Sequence, residues 1–310
     1  MNEIDRVAVC SRSFSKNPLL RKELLARYQH VTFNDDGRQL EGSELVDFLK
    51  GHNKAITALE KITDDILSQL PELEVIGKYG VGLDMIDMEA MRRHGKRLGW
   101  TGGVNRRSVS EMVIALAVIM LRHLPTAHRE VLKGTWRQHI GGLLSGRTVG
   151  IIGCGHIGKD LATLLQPWGC TLLAHDIQDF PEFYAANKIE GVSLSTLLKR
   201  SDVVTLHVPL NDTTRNILST KHLRLMKSSA ILINIARGGL VDEIEVKEML
   251  KTYRLAAAAF DVFHTEPPKD KELLNLPNFY VTPHIGGSAE EVIHAMGRAA
   301  IDGLDCNFIP

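Results

Sequence analysis

The sequence predicts an α/β protein made of two successive units, each a parallel sheet covered by helices. Three observations carry this. Short β-rich runs alternate with amphipathic stretches from residue 7 onward, the alternation restarts at Arg147, and no low-complexity tract or internal repeat separates the two series. With 310 residues the chain is about twice a usual domain length, so two cores of ordinary size fit within it.

In the first series the β-rich runs are 7–10, 31–33, 55–58 and 75–77, and the amphipathic stretches between them are 19–26, 45–50 and 66–70. In the second the runs are 149–152, 171–174, 203–206, 231–234, 256–260 and 279–282, each followed by a turn or a helical stretch. Between the two series Val109, Met112, Val113, Leu116, Ile119, Met120 and Leu124 recur at helical spacing and predict a helix over 108–124, apolar around most of its circumference. Such a helix packs between domains, between subunits or both, or belongs in an ordinary core, and these readings stay open.

Composition narrows the class. A hydrophobic content of 44%, a charged content of 24% and 11 prolines describe a chain folded throughout. Lys+Arg 37 balances Asp+Glu 37, so the basic excess used to grip a phosphate backbone is missing and no nucleic-acid partner is expected. The longest apolar run, 113–121, is far short of the roughly twenty residues of a membrane span. Met1-Asn2-Glu3-Ile4-Asp5-Arg6 carries acids where a signal peptide has a basic stretch, so a cytoplasmic location is expected. Cys10, Cys154, Cys170 and Cys306 fall in no CxxC or metal-type spacing and read as reduced thiols, with no metal site.

The chemistry begins at Val149-Gly150-Ile151-Ile152-Gly153-Cys154-Gly155-His156-Ile157-Gly158, a GxGxxG immediately after a strand and before a helical run. Gly153 suits the tight turn, Gly155 a close backbone approach to a pyrophosphate, and Gly158 close helix–strand packing, with the helix N-terminus facing the anion and His156 offering its backbone N–H. The second strand of this unit leads to Asp176, placed to accept hydrogen bonds from an adenosine ribose. A carboxylate there repels a ribose 2′-phosphate, and Ile177-Gln178-Asp179 supplies no Arg, so NAD is expected over NADP.

Three later strands lead into loops bearing Arg237, Glu266 and His284, and ligands of open α/β sheets bind outside the carboxyl ends of the strands. A guanidinium grips a carboxylate at two points, an imidazole passes a proton near neutral pH, and a neighbouring carboxylate favours the imidazolium. The trio suits carbonyl reduction.

On these motifs, together with Gly80-Val81-Gly82-Leu83-Asp84, His207-Val208-Pro209-Leu210, Ala236-Arg237-Gly238-Gly239, Asp261-Val262-Phe263 and Pro283-His284-Ile285-Gly286, the chain resembles the D-isomer-specific 2-hydroxyacid dehydrogenases over essentially its whole length. The resemblance implies a Rossmann-type NAD-binding domain, 102–287, inserted in a flavodoxin-like substrate domain, 1–101 plus 288–310. It implies hydride transfer between a nicotinamide and C2 of a small 2-keto acid or D-2-hydroxy acid, with Arg237, Glu266 and His284 catalytic. Cofactor contacts would come from Gly153, Gly155, His156, Ile157, Gly158, Asp176, Val208, Ile235, Asp261 and Gly286, with Asp261 on the nicotinamide carboxamide. Val81 and Gly82 would hold the substrate carboxylate by backbone N–H groups beside Arg237, a role a glycine-rich turn can fill. Helix 108–124 would form a homodimer contact.

Two departures refine this. Formate dehydrogenases of the family carry Gln where Glu266 stands, which argues against that chemistry. The motifs resemble the 3-phosphoglycerate dehydrogenase branch most, yet Thr57-Ala58-Leu59-Glu60 replaces the usual Arg-Ser pair, and Glu60 would repel a phosphate dianion. Lys78, Arg106 and Arg107 are expected to be solvated surface residues, and the end at Pro310 leaves no space for the regulatory domain of many such enzymes, so a different small 2-keto acid is expected. The same resemblance extends to transcriptional corepressors, which keeps open an NAD(H)-sensing regulatory protein on the same fold.

Overall fold

A computed structural model describes residues 2–310. The chain divides into two compact units, one running to Asn105 and completed by Ser288–Pro310, the other Arg106–Gly287.

The first unit holds strands β1 (Asn2–Val9), β2 (Tyr28–Phe33), β3 (Lys54–Thr57), β4 (Val75–Lys78) and β5 (Arg97–Gly99), all parallel, in the order β2-β1-β3-β4-β5. Both faces of the sheet are covered, so its strands read as continuous apolar runs whose alternate residues enter different cores. Ala8, Cys10, Ala55 and Ile76 join one cluster, and Val7, Val9, Ile56 and Val75 join the other with Ala300, Ile301 and Leu304. Those last residues belong to the C-terminal helix Glu290–Gly303 and its cap. This helix lies so close to β4 and β5 that a Cβ on Gly99 would collide with the backbone of Gly303, and one on Gly77 with the Ala300 carbonyl.

A polar cluster fixes the same return of the chain. The Lys54 ammonium is 2.9 Å from Asp5 and 3.0 Å from Asp305, and the Tyr28 hydroxyl donates to Asp305 at 2.5 Å. Burial opposes the Lys54 charge, but the bonds to Asp5, Asp305 and Tyr28 outweigh it and hold the ammonium above the usual lysine range.

The second unit holds β6 (Thr148–Ile152), β7 (Thr171–His175), β8 (Ile189–Gly191), β9 (Val203–Leu206), β10 (Ile231–Asn234), β11 (Ala257–Phe260) and β12 (Phe279–Val281). The order β12-β11-β10-β9-β6-β7-β8 is parallel throughout and reverses between β6 and β9, the doubly wound arrangement whose ligand crevice opens at the reversal. Strands β5 and β8, three residues each, were not anticipated: both are edge strands with charged residues in or beside them.

The helix expected over 108–124 is Arg106–Leu121, followed after a break by Leu124–Leu132. His123 sits at φ 54, and Pro125, which has no N–H to give and would crowd the Leu121 carbonyl in a continuous helix, lies in the first turn of the second helix. The Leu121 carbonyl accepts from Gly142 N–H instead, at 2.9 Å. Nor is the first helix buried all round: Val109, Val113, Leu116, Ala117 and Met120 are buried, Met112, Ile114, Val118 and Ile119 are partly buried, and Glu111 and Ala115 are exposed. Among the described residues no single helix is long and apolar enough to cross a membrane.

Candidate active site

The dinucleotide fingerprint occupies the reversal of the second sheet. Gly153 follows β6 at φ 94, and a Cβ there would press on the His207 carbonyl and on Val208 at 2.7–2.8 Å, so glycine lets the loop after β6 meet the loop after β9. Gly155 faces open space, as a backbone that receives a phosphate must, and it caps the helix His156–Leu165. A Cβ on Gly158 would strike the Gly153 carbonyl. His156 and Ile157 form the first turn of that helix, with the His156 side chain exposed. The Asp176 carboxylate lies at the end of β7, accepting from Cys154 N–H at 2.6 Å and from Gln178 N–H at 2.9 Å. Two carboxylate oxygens have capacity beyond these two bonds for a ribose diol. These residues fit an adenine dinucleotide.

Two titratable side chains, one in the fingerprint and one in the loop after β9, are decoys. Burial pushes the Cys154 thiol up to about 11, so it stays a thiol near neutral pH. Burial also drives His207 down to about 3, so this imidazole stays neutral beside Thr205.

The loops after β10, β11 and β12 converge at the same edge of the sheet. Asn234, 1% exposed, ends β10 and binds its own loop, accepting from Ala236 N–H at 3.2 Å and donating to the Arg237 carbonyl at 2.9 Å. Ile235 is buried, and the Arg237 guanidinium is half-buried, with Nη1 donating to the Ala236 carbonyl at 2.7 Å. Asp261, also 1% exposed, accepts from Thr282 Oγ1 at 2.6 Å, Ile285 N–H at 2.8 Å and Gly286 N–H at 2.8 Å. The Gly286 carbonyl accepts in turn from Ser108 at 2.6 Å. Asp261 therefore fixes the loop that carries His284, whose own φ is 55 and whose N–H donates to the Asp261 carbonyl at 2.9 Å.

The His284 ring, with its side chain half exposed, meets Glu266: Nδ1 to Oε2 is 2.9 Å. Glu266 Oε1 accepts from Phe263 N–H at 3.1 Å, so one carboxylate both braces its loop and orients the imidazole. With Nδ1 turned to Glu266, Nε2 is the nitrogen left to deliver a proton. A cavity of about 490 Å³ lies alongside, lined by Asp261, Glu266, Pro267, Val281, Pro283 and His284. Among the described residues no cluster of three metal-ligating side chains occurs.

In the first unit, Gly80 turns at φ 120 after β4, and Val81 and Gly82 are half-buried, with the Val81 carbonyl accepting from Trp100 Nε1 at 3.1 Å. The expectation that Lys78 is a solvated surface residue is corrected: it is 5% exposed, and its ammonium donates to the Ala58 carbonyl at 2.5 Å, because β4 is internal to the sheet. Glu60 accepts from Ala58 N–H at 2.6 Å and helps line a cavity of about 660 Å³ with Arg12, Lys16, Glu41 and Lys61. Arg107 is exposed and pairs with Asp160 at 2.9 Å.

Asn234, Thr282 and Ser108 were missed by the sequence reading. A buried asparagine ending an apolar strand, Ile231-Leu232-Ile233-Asn234, was the available signal for the first; the other two act through bonds to distant segments.

Comparison with known proteins identifies the family and the fold. Residues 114–286 match the family description "D-isomer specific 2-hydroxyacid dehydrogenase, NAD binding domain". The chain is 39% identical to D-3-phosphoglycerate dehydrogenase of Methanocaldococcus jannaschii over 79% of its own length and 47% of that protein's, so it spans about half of that longer relative. It is 35% identical to hydroxypyruvate reductase of Thermotoga maritima, over 80% of this chain and 82% of that one. A solved structure from Polaromonas, described as a putative D-isomer specific 2-hydroxyacid dehydrogenase, superposes with a TM-score of 0.88 at 29% identity, covering 98% of this chain and 96% of that one. The chain belongs to the D-isomer specific 2-hydroxyacid dehydrogenase family, and its second unit carries that family's NAD-binding domain.

Proposed function

We propose that the protein interconverts a small 2-keto acid and a D-2-hydroxy acid with NAD(H). The observation that carries this is the 2.9 Å pair of His284 and Glu266 at the carboxyl edge of a sheet whose reversal bears a dinucleotide fingerprint. NAD(H), when bound, would supply or take the hydride at C2. Arg237 binds the substrate carboxylate and polarises the carbonyl, His284 gives a proton to the carbonyl oxygen during reduction, and Glu266 orients His284 and favours its charged form. Val81 and Gly82 are assigned the substrate carboxylate through their N–H groups, and Asp261 and Gly286 the nicotinamide side of the cofactor. Asp176 selects NAD by receiving the ribose hydroxyls.

The working unit is a homodimer in a reducing cytosol. The dimer is supported by the apolar side chains of 124–143 that the chain leaves exposed, and the compartment by four cysteines that are all free thiols. NADH oxidation against a panel of 2-keto acids tests the activity: turnover with at least one, and NADH preferred to NADPH, is expected. Unphosphorylated acids should surpass 3-phosphohydroxypyruvate, since the stretch Thr57-Ala58-Leu59-Glu60 offers no guanidinium to a phosphate and Glu60 would repel the dianion. The reverse order would assign phosphate to Arg12, Lys16 and Lys61 of the neighbouring cavity.

A further inference from the structure

The turn that carries Glu266 is held from outside itself. Residues Phe263 and His264 are consecutive, and each of their amides donates to a different carboxylate: Phe263 N–H to Glu266 Oε1 at 3.1 Å, His264 N–H to Glu243 Oε1 at 2.8 Å. Glu243 opens the helix Glu243–Lys251, reached from β10 through the Arg237-Gly238 loop. That loop lies directly on the same turn, since a Cβ on Gly238 would overlap the Phe263 carbonyl and the His264 nitrogen. The Arg237 loop and the Glu266 loop thus meet at one peptide, and Glu243 is the side chain that ties them.

We propose that Glu243 is a positioning residue for the reaction, fixing the His264 amide so that the adjoining Phe263 amide holds Glu266 against His284; this rests on the dehydrogenase reading above. Helix capping does not explain Glu243, because Asp242 already caps the helix by accepting from Glu245 N–H at 3.1 Å. The carboxylate is instead directed across to the neighbouring turn, in a cavity of about 310 Å³ whose wall includes His264, Lys269 and Asp270. Burial raises its carboxyl above the usual glutamate range, the His264 amide and imidazole oppose that rise, and Asp270 and Glu266 add to it. A partly desolvated carboxylate with one backbone partner is a specific brace rather than a solvated surface acid.

The test compares wild type, Glu243→Ala, Glu243→Gln and Glu266→Gln. Glu243→Ala should lower kcat for keto-acid reduction roughly tenfold with NADH affinity unchanged, as a small misplacement of a catalytic group does. It should also move the alkaline limb of the pH–rate profile to lower pH, in the direction of Glu266→Gln, because a displaced carboxylate no longer favours the imidazolium. Glu243→Gln, whose amide oxygen still accepts from His264, should restore both. Long-range proton–nitrogen spectra of the imidazoles give a readout independent of turnover: the Nδ1–H tautomer of His284 is expected in wild type and Glu243→Gln, and its loss in Glu243→Ala. If Glu243→Ala does not fold, Glu243→Asp, one methylene short of the amide, takes its place. A wild-type pH profile and ring spectrum in a variant that merely melts lower would overturn the proposal. If wild type reduces no keto acid, the dehydrogenase reading fails, and the ring spectra still decide the positioning.

Discussion

Two regions of the NAD-binding unit are completed to different degrees within one chain. At the carboxyl edge of the sheet, Asp261, Glu266 and His284 are joined by hydrogen bonds between the loops after β11 and β12, and the buried carboxylate of Asp261 has a partner on each oxygen. Along 124–143 the helix Leu124–Leu132 buries no residue, Trp136 is 84% exposed and Ile140 is 96% exposed. Polar groups have been satisfied locally where chemistry is assigned, while a run of large apolar side chains is left uncovered where it is not. A cluster of that kind marks an interaction surface. The comparison therefore separates polar groups that one chain satisfies by itself from an apolar surface that it leaves uncovered.

The largest effect should come from the first region. His284→Asn removes the proposed proton donor and should lower kcat by roughly two to four orders of magnitude, with NADH binding retained by titration calorimetry. An effect below tenfold would detach His284 from the chemistry. The second region should respond on a different measurement. Trp136→Glu combined with Ile140→Asp introduces charge into the apolar surface and should raise the dimer dissociation constant roughly a hundredfold, the order expected when interface anchors are lost. Light scattering at micromolar concentration reads this; a wild-type protein that is already monomeric would remove the second copy from the account.

Smaller effects sharpen the first region. Glu266→Gln should lower kcat about tenfold and shift the alkaline limb of reduction to lower pH, since an imidazole without its carboxylate gives up its proton earlier as pH rises. Asp176→Ala should narrow the preference for NADH over NADPH roughly tenfold, about 1.4 kcal/mol. Lys54→Met lies in the other unit and should leave the chemistry unchanged. It removes the shared partner of Asp5 and Asp305, and should cost about 3 kcal/mol of stability. For both carboxyls burial raises the pKa, but hydrogen bonds outweigh it: from Asn53, Lys54 and Asn2 to Asp5, and from Tyr28 and Lys54 to Asp305. Both end below the usual range, so this stabilisation is present above the unfolded-state pKa and is lost as pH falls through the lowered values. Denaturant titrations of wild type and variant should therefore converge in acid.

Much of this was legible because it is written in local patterns. Gly153, Gly155 and Gly158 announce their turn by spacing, and continuous apolar runs mark strands buried on both faces. Arg237, Glu266 and His284 could be placed at strand ends, which is enough to bring their loops to one edge. Other features depend on what a distant segment does. Lys78 is buried because β5 flanks β4, and β5 is a three-residue strand in a charged stretch. The helix ends at Leu121 because of Pro125, a local signal that apolar periodicity alone passed over. Glu243 reads as an ordinary first-turn acid until the His264 amide is seen opposite it.

The central claim is a hydride passed from the nicotinamide to C2 of a 2-keto acid to give the D-2-hydroxy acid, and isotope tracing measures it directly. NADH deuterated at the transferring C4 position would be incubated with the best 2-keto acid, and the product examined by mass spectrometry and chiral chromatography. One deuterium at C2 in the D-2-hydroxy acid is the predicted result. Binding of NADH with no labelled product from any 2-keto acid, or a product of L configuration, would contradict the account.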